Sequence, residues 1–260
     1  MSGEPTHCEG GEVSDAIFEE RRLAEVYDPL EPDRPDLDPY IALVHALGAR
    51  SVLDIGCGTG TFACLLAERG ITVFGLDPAA ASLEVARRKP SADQVRWILG
   101  DATSLPPLQV ELVTMTGNVA QVFLTDEELT SVFQSAAAAL RPGGHLVFEV
   151  RNPAAEGWKQ WSRQHTHRHV QLPDVGAVET WMEVLETAQP LVTFRWTFVF
   201  GSDGTELVSD STLRFWTRTE IVDALGRAGF VVRDIRDAPD RRGREFVYIA
   251  QLPDRSGGSA

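Results

Sequence analysis

Three carboxylates and a run of alternate glycines carry the chemistry that this sequence offers. Residues 52–60 read VLDIGCGTG, with Asp54 two residues before the first of Gly56, Gly58 and Gly60. Glycines in such a turn let the backbone approach a ligand closely, because no Cβ intervenes. A helix beginning just beyond them offers unpaired N–H groups to a polar ligand. The second carboxylate, Asp77, closes the apolar run 71–77, followed by Pro78. An acid at a strand end can grip a ribose diol through two charge-assisted hydrogen bonds. The third, Asp101, sits in Gly100-Asp101-Ala102, just after the run 95–99. Asp54 would repel an anion and hold an amino group. A dinucleotide-binding turn has the spacing G-x-G-x-x-G. Here the third glycine comes one residue early, which with Asp54 disfavours a nicotinamide dehydrogenase.

These groups need strands that end at one edge. Val52, Leu53 and Ile55 read as a buried strand, and residues 61–69 as a helix with Phe62, Leu65 and Leu66 as its stripe. Gly70 stands where a helix C-cap wants positive φ. Strand patterns recur at 71–77, 95–99, 110–116 and 145–150. Helix patterns lie between them, at 79–88 and after the capping box TDEE at 125–128, where RPGG at 141–144 stops the helix. Such alternation predicts a mainly parallel sheet with helices on both faces, and a ligand at its carboxyl edge. Upstream, Ser14 is placed to N-cap a helix running to 26 or 27, and 40–47 reads as a short helix. Beyond Arg151 the segments 178–186, 191–200 and 207–216 alternate as antiparallel strands, with SDG at 202–204 as a hairpin turn. A second capping box, TRTE at 217–220, opens a helix to 227, and 230–235 and 245–250 are the last strands.

The residues from Asp54 to Gly60, the Asp77 strand end, the Gly100-Asp101-Ala102 step and LRPGG at 140–144 together resemble the class I S-adenosylmethionine-dependent methyltransferases. The resemblance runs from about residue 51 to 150, with weaker support to 251. It implies an α/β fold: a Rossmann-like doubly wound seven-stranded sheet, last strand antiparallel, with an antiparallel β insert after the fifth strand. It implies S-adenosyl-L-methionine as cofactor, its methionine amino group near Asp54, Gly56, Cys57 and Gly58, its ribose on Asp77 beside Pro78, and its adenine at Gly100, Asp101 and Ala102. Thr116 and Gly117 would lie near the sulfonium. Family members often carry a Tyr-Asp pair on a helical lid, here Tyr27 and Asp28. Tyr27 either meets the cofactor or packs the lid onto the domain.

The acceptor side is less determined. The fourth strand ends TMTGNV at 114–119, without the Asn/Asp-Pro-Pro-aromatic motif for planar amino groups or the acidic cluster that holds magnesium. A metal-free enzyme acting on a small molecule fits best. His165, His167 and His169 would share one face if they lie on a strand; the readings are a general base, a metal site that no other ligand spacing supports, or an exposed loop. Arg151 could bind an acidic acceptor or form an internal ion pair. Trp158, Trp161, Trp181, Trp196 and Phe198 could line a pocket or fill a core.

Composition narrows the partners. A net charge of −14 disfavours nucleic acid, and no run approaches a membrane span. Cys8, Cys57 and Cys64 show no zinc or disulfide spacing, so a cytoplasmic location is expected. The expected layout is a disordered 1–13, a lid and linker at 14–38, a cofactor core at 39–152, an acceptor-side insert at 153–216, completion of the core sheet at 217–252, and a flexible 253–260. The expected function is methyl transfer to an O or N atom of a small molecule. The alternative is a protein of this fold that binds the cofactor without transferring methyl.

Overall fold

The structure is a computed structural model that describes residues 14–103 and 105–254. The expectations for 1–13 and for all but the first two residues of the tail lie outside them. The elements in chain order are α1 (Ala16–Glu19), α2 (Arg21–Leu30), α3 (Asp38–Ala46), β1 (Ser51–Ile55), α4 (Thr61–Ala67), β2 (Thr72–Asp77), α5 (Ala80–Ala86), β3 (Val95–Leu99), β4 (Val110–Met115), α6 (Asp126–Ala139), β5 (Leu140–Arg151), α7 (Arg163–Thr166), β6 (Arg168–Leu172), β7 (Gly176–Ala188), β8 (Leu191–Phe200), β9 (Glu206–Arg214), α8 (Arg218–Arg227), β10 (Val231–Asp237) and β11 (Glu245–Gln251).

Seven strands form one sheet in the order β10-β11-β5-β4-β1-β2-β3. β1 to β5 are parallel, and β11 runs antiparallel to both of its neighbours. The apolar runs explain this. Val52, Val73, Leu112 and Val147 face one side, buried against Tyr40, Ile41 and Val44 of α3 and Phe62 and Leu66 of α4. Leu53, Ile55, Val113 and Leu146 face the other, against Leu129, Val132 and Phe133 of α6 and Ile221 and Leu225 of α8. Each such side chain contributes roughly 1.5–3 kcal/mol by leaving water, so a strand buried on both faces stays apolar nearly throughout. The strand order reverses between β1 and β4, and both end at the same edge. Because β11 is antiparallel, its first residue, Glu245, lies at that edge too, opposite Arg151.

A second sheet, β6-β7-β8-β9, is antiparallel throughout. Sequence reasoning found three of its strands and missed β6, which pairs only with β7. Ile17 of α1 and Leu23 and Val26 of α2 pack on its Val178, Phe198 and Phe200. The single N-terminal helix expected up to 26 or 27 is instead two, broken at Glu20 (φ −76°, ψ 120°). Glu20 then caps α2, its carboxylate accepting from the Leu23 N–H at 2.8 Å. α2 runs through Pro29 to Leu30, and the cap expected from Ser14 does not form: Asp15 takes the position before α1, and its side chain does not cap the helix. RPGG does not separate α6 from the fifth strand. β5 starts at Leu140, pairs there with Val110, shifts register, and resumes at Leu112 with His145. Among the described residues no helix is long and apolar enough to cross a membrane.

Candidate active site

The glycine turn splits into two kinds of position. Gly56, Gly58 and Gly60 all have positive φ, of 70°, 53° and 76°. A Cβ on Gly56 would stand 2.5 Å from Val119 Cγ2, and one on Gly60 2.4 Å from Trp97 Cη2. Those two glycines admit protein side chains. Gly58 has nothing within 4 Å of its Cβ position, and neither has Gly117 after β4, with φ 79°. The open cradle is therefore at Gly58 and Gly117, in the loops that follow β1 and β4, the two strands between which the order reverses.

Asp77 is 7% exposed. Its Oδ2 accepts from the Gly58 N–H at 2.7 Å and its Oδ1 from the Ala79 N–H at 2.9 Å. The carboxylate thus braces the glycine turn and α5 while each oxygen keeps a second lone pair. Burial raises its pKa, against the pull of those two hydrogen bonds. Asp54 is 1% exposed. Its Oδ1 accepts from the Thr114 hydroxyl at 2.7 Å, and its Oδ2 is buried with no partner. Burial pushes its pKa up to about 7, the Thr114 bond opposes this, and the charges of Asp77 and Glu149 add to the rise. An orphaned carboxylate oxygen beside an open glycine cradle suits a cationic amino group, and a braced acid at the next strand end suits a diol. These residues fit the sulfonium nucleoside that the sequence implies. Pro78 is exposed beside Asp77. Gly100 donates to the Asp77 carbonyl at 3.1 Å, Ala102 is buried, and the exposed Asp101 accepts from the Thr103 N–H at 2.6 Å and from its hydroxyl. Cys57 is partly buried in the turn, and burial holds its thiol protonated.

The lid is tied to this turn. Asp28 of α2 accepts from the hydroxyls of Thr59 at 2.8 Å and Thr61 at 3.1 Å, and pairs with the Lys89 ammonium at 2.7 Å. Glu19 accepts from the Ala80 N–H at 2.9 Å, so α1 caps α5 beside Asp77.

A cavity of about 580 Å³ opens between the lid, the ends of β4 and β5, and the inner face of the second sheet. Tyr27, Thr116, Gly117 and Arg151 line it, as do Trp161, Trp196 and Phe198. Trp158 is instead core, packed on Phe215 at 4.4 Å, and Trp181 lies under the Arg163 guanidinium at 4.0 Å. The three histidines do not share a strand: His165 is in α7, His167 follows it, and only His169 is on β6. All three are exposed and none lines the cavity. His165 Nδ1 meets the Ser162 hydroxyl at 2.8 Å, and His167 Nε2 meets Glu179 at 2.7 Å.

Sequence reasoning sends Glu149, Arg151 and Asn152 toward this edge but gives Glu149 no role; the structure gathers a polar cluster around it at the cavity wall. Glu149 of β5 is 3% exposed, and its Oε1 accepts from the Asn118 N–H at 2.8 Å. Asn118 holds φ 64°, a left-handed conformation that asparagine tolerates. Its Nδ2 donates to Glu245 Oε1 at 3.3 Å, which also takes Arg241 Nη1 at 2.8 Å. Arg151 lies 3.9 Å from Glu245 and donates to Gln121 Oε1 at 3.1 Å. Burial drives Glu149 up to about 7 and, with the Glu149 charge beside it, holds the Tyr40 hydroxyl protonated. The available signal was an acid inside HLVFEVR at 145–151, a run otherwise fit for burial on both faces.

Residues 52–144 match the family described as methyltransferase domain. The core is a class I S-adenosylmethionine-dependent methyltransferase domain. Over 147 residues the chain is 30% identical to the cypemycin N-terminal methyltransferase of a Streptomyces species, covering 55% of this chain and 60% of that protein. Over 138 residues it is 32% identical to the ubiquinone biosynthesis O-methyltransferase of Klebsiella pneumoniae, covering 51% and 55%. The chain thus spans less than two thirds of either curated relative. The sugar N-methyltransferase KedS8 from a Streptoalloteichus species shares the fold over nearly its whole length, with 98% of this chain and 99% of that one covered, TM-score 0.71 and 18% identity.

Proposed function

We propose that the protein transfers a methyl group from S-adenosylmethionine to an O or N atom of a small molecule, without a metal. One observation carries the reading: the cavity meets the cofactor edge at Thr116 and Gly117, where the glycine cradle is open. The bound sulfonium would supply the reactive methyl group, so the protein's part is orientation and a dry site. Asp54 and Gly58 would hold its amino acid end, Asp77 its ribose, and Asp101 with Ala102 its adenine. Asp28 holds the lid down, and Trp161, Trp196 and Phe198 give the acceptor an apolar wall. The net charge of −14 weighs against nucleic acid as acceptor.

Calorimetric titration with S-adenosylmethionine, S-adenosylhomocysteine and NADH tests the cofactor. The two sulfur nucleosides should bind and NADH should not. Asp77→Ala should weaken binding by about 1.5–3 kcal/mol, the range for a hydrogen bond to a charged group. Unchanged affinity in that variant would refute the ribose assignment. Tight cofactor binding with no product from any small-molecule acceptor would instead favour a protein that binds without transferring methyl.

A further inference from the structure

We propose that the acceptor is an amine, and that Glu149 holds its nitrogen and takes its proton. This rests on the methyl-transfer reading above. Three buried acceptor atoms of cavity-lining residues have no hydrogen-bond partner: Asp28 Oδ2, which the Lys89 ammonium neutralises at 2.7 Å, and Glu149 Oε2 and Asn118 Oδ1, which no ammonium meets. The Asn118 amide is fixed in orientation, because its Nδ2 must face the Glu245 carboxylate. No cavity-lining residue among those described has a buried donor left without a partner. The unmet need is therefore for donors, and for two of them. A hydroxyl brings one O–H, whereas an amine brings two or three N–H groups. Both oxygens are sealed from water in this state, so the amine reaches them by a side-chain shift at the wall.

Charge points the same way. Acids outnumber arginines on the cavity wall by eight to four. Each arginine already faces a carboxylate: Arg34 with Asp36 at 2.9 Å, Arg168 with Glu31 at 3.3 Å, and Arg241 and Arg151 with Glu245. Uncompensated negative charge remains for a cation. The groups facing Glu149 are the Tyr40 hydroxyl from α3 and the Gly117 and Asn118 N–H groups, which donate to it, with Asp54 from β1, Glu245 from β11 and the Arg151 guanidinium. Two like charges and deep burial leave Glu149 able to gain or lose a proton near neutrality.

An amine needs such a group. It arrives as an ammonium and must give up a proton to expose its lone pair. Glu149 takes that proton as the amine binds. The freed pair forms the new N–C bond, sulfur keeps the pair of the broken C–S bond, and the product is a methylammonium. When the wall opens to release it, Glu149 returns its proton to solvent.

The test titrates the protein, saturated with S-adenosylhomocysteine, with matched amines and alcohols: glucosamine and glucose, tyramine and tyrosol, tryptamine and tryptophol. At least one amine should bind ten times more tightly than its alcohol. Glu149→Gln should remove that preference with affinity for S-adenosylhomocysteine retained, and Glu149→Asp should restore part of it. In methyl transfer, the Glu149→Gln variant should lose kcat at neutral pH and recover it as pH rises. Equal or tighter binding of the alcohols, no amine bound, or an unchanged preference in Glu149→Gln would each overturn the proposal. Should Glu149→Gln fail to fold, the preference of the unmodified protein still decides. A protein that binds no S-adenosylhomocysteine fails the earlier reading instead.

Discussion

Asp54 and Glu149 are acids set inside buried stretches, residues 52–55 of β1 and 146–150 of β5, and each has one oxygen without a hydrogen-bond partner. Folding thus places two carboxyls where their charged forms are disfavoured. Both pKa values rise to about 7, from 3.8 and 4.5. Between those limits the native state keeps a proton that the unfolded chain has released. Stability from each group is therefore full below about pH 4 and is lost as pH rises through 7. Acids with depressed pKa values, such as Asp36 and Glu220, act only at lower pH. The melting temperature of the ligand-free protein should therefore fall between pH 5 and 8, and Asp54→Asn should flatten that slope. An unaltered slope in the variant would show that Asp54 is ionised throughout. Asp54 was legible in the sequence because glycines follow it. The position of Glu149 at the same edge was legible too, but its cluster was not, because its partners, Tyr40, Asn118 and Glu245, come from distant parts of the chain.

At the scale of elements, the lid matters most. α2 meets the glycine turn through Asp28, which is bound by Thr59, Thr61 and Lys89. The ion pair is three-quarters or more buried on both sides, so it is worth more than an exposed one. Asp28→Ala should cost about 1–3 kcal/mol by leaving those donors unmet. Amide exchange should quicken in α2 while β1 and β4 stay protected, and cofactor affinity should drop with it. Equal protection of α2 in both proteins would mean that packing on the second sheet alone holds the lid. What the sequence says about elements depends on how local their causes are. Both capping boxes form as read, Glu128 N–H on Thr125 at 3.1 Å and Glu220 N–H on Thr217 at 3.3 Å, since four residues suffice. The break at Glu20 has a tertiary setting: Glu19 and the Phe18 carbonyl are taken by Ala80 and Ser82. β6 is a five-residue edge strand whose pattern, Arg-His-Val-Gln-Leu, is set by pairing with β7.

The whole molecule has two kinds of core. The seven-stranded sheet is filled on both faces by its own helices, whereas the second sheet is completed by the lid, which comes from the other end of the chain. The cavity lies on the seam between them, so opening it requires the lid and second sheet to loosen while the cofactor edge stays formed. Free energies of opening differ among such cooperative units. Phe200 tests this: it is fully buried among Ile17, Leu23 and Val26, with the Arg22 guanidinium 3.7 Å above its ring, and it does not line the cavity. Phe200→Ala should cost about 3–5 kcal/mol, typical of an aromatic deleted from a core. Four of the six tryptophans, Trp158, Trp161, Trp181 and Trp196, lie in or beside the second sheet, so fluorescence reports it, whereas far-UV dichroism is weighted to the helices of the larger sheet. In a denaturant titration the variant's fluorescence transition should move to lower concentration and separate from the dichroism transition, which should hold its place. If both probes shift together, the lid, the second sheet and the cofactor core unfold as one, and the cavity opens by side-chain motion alone.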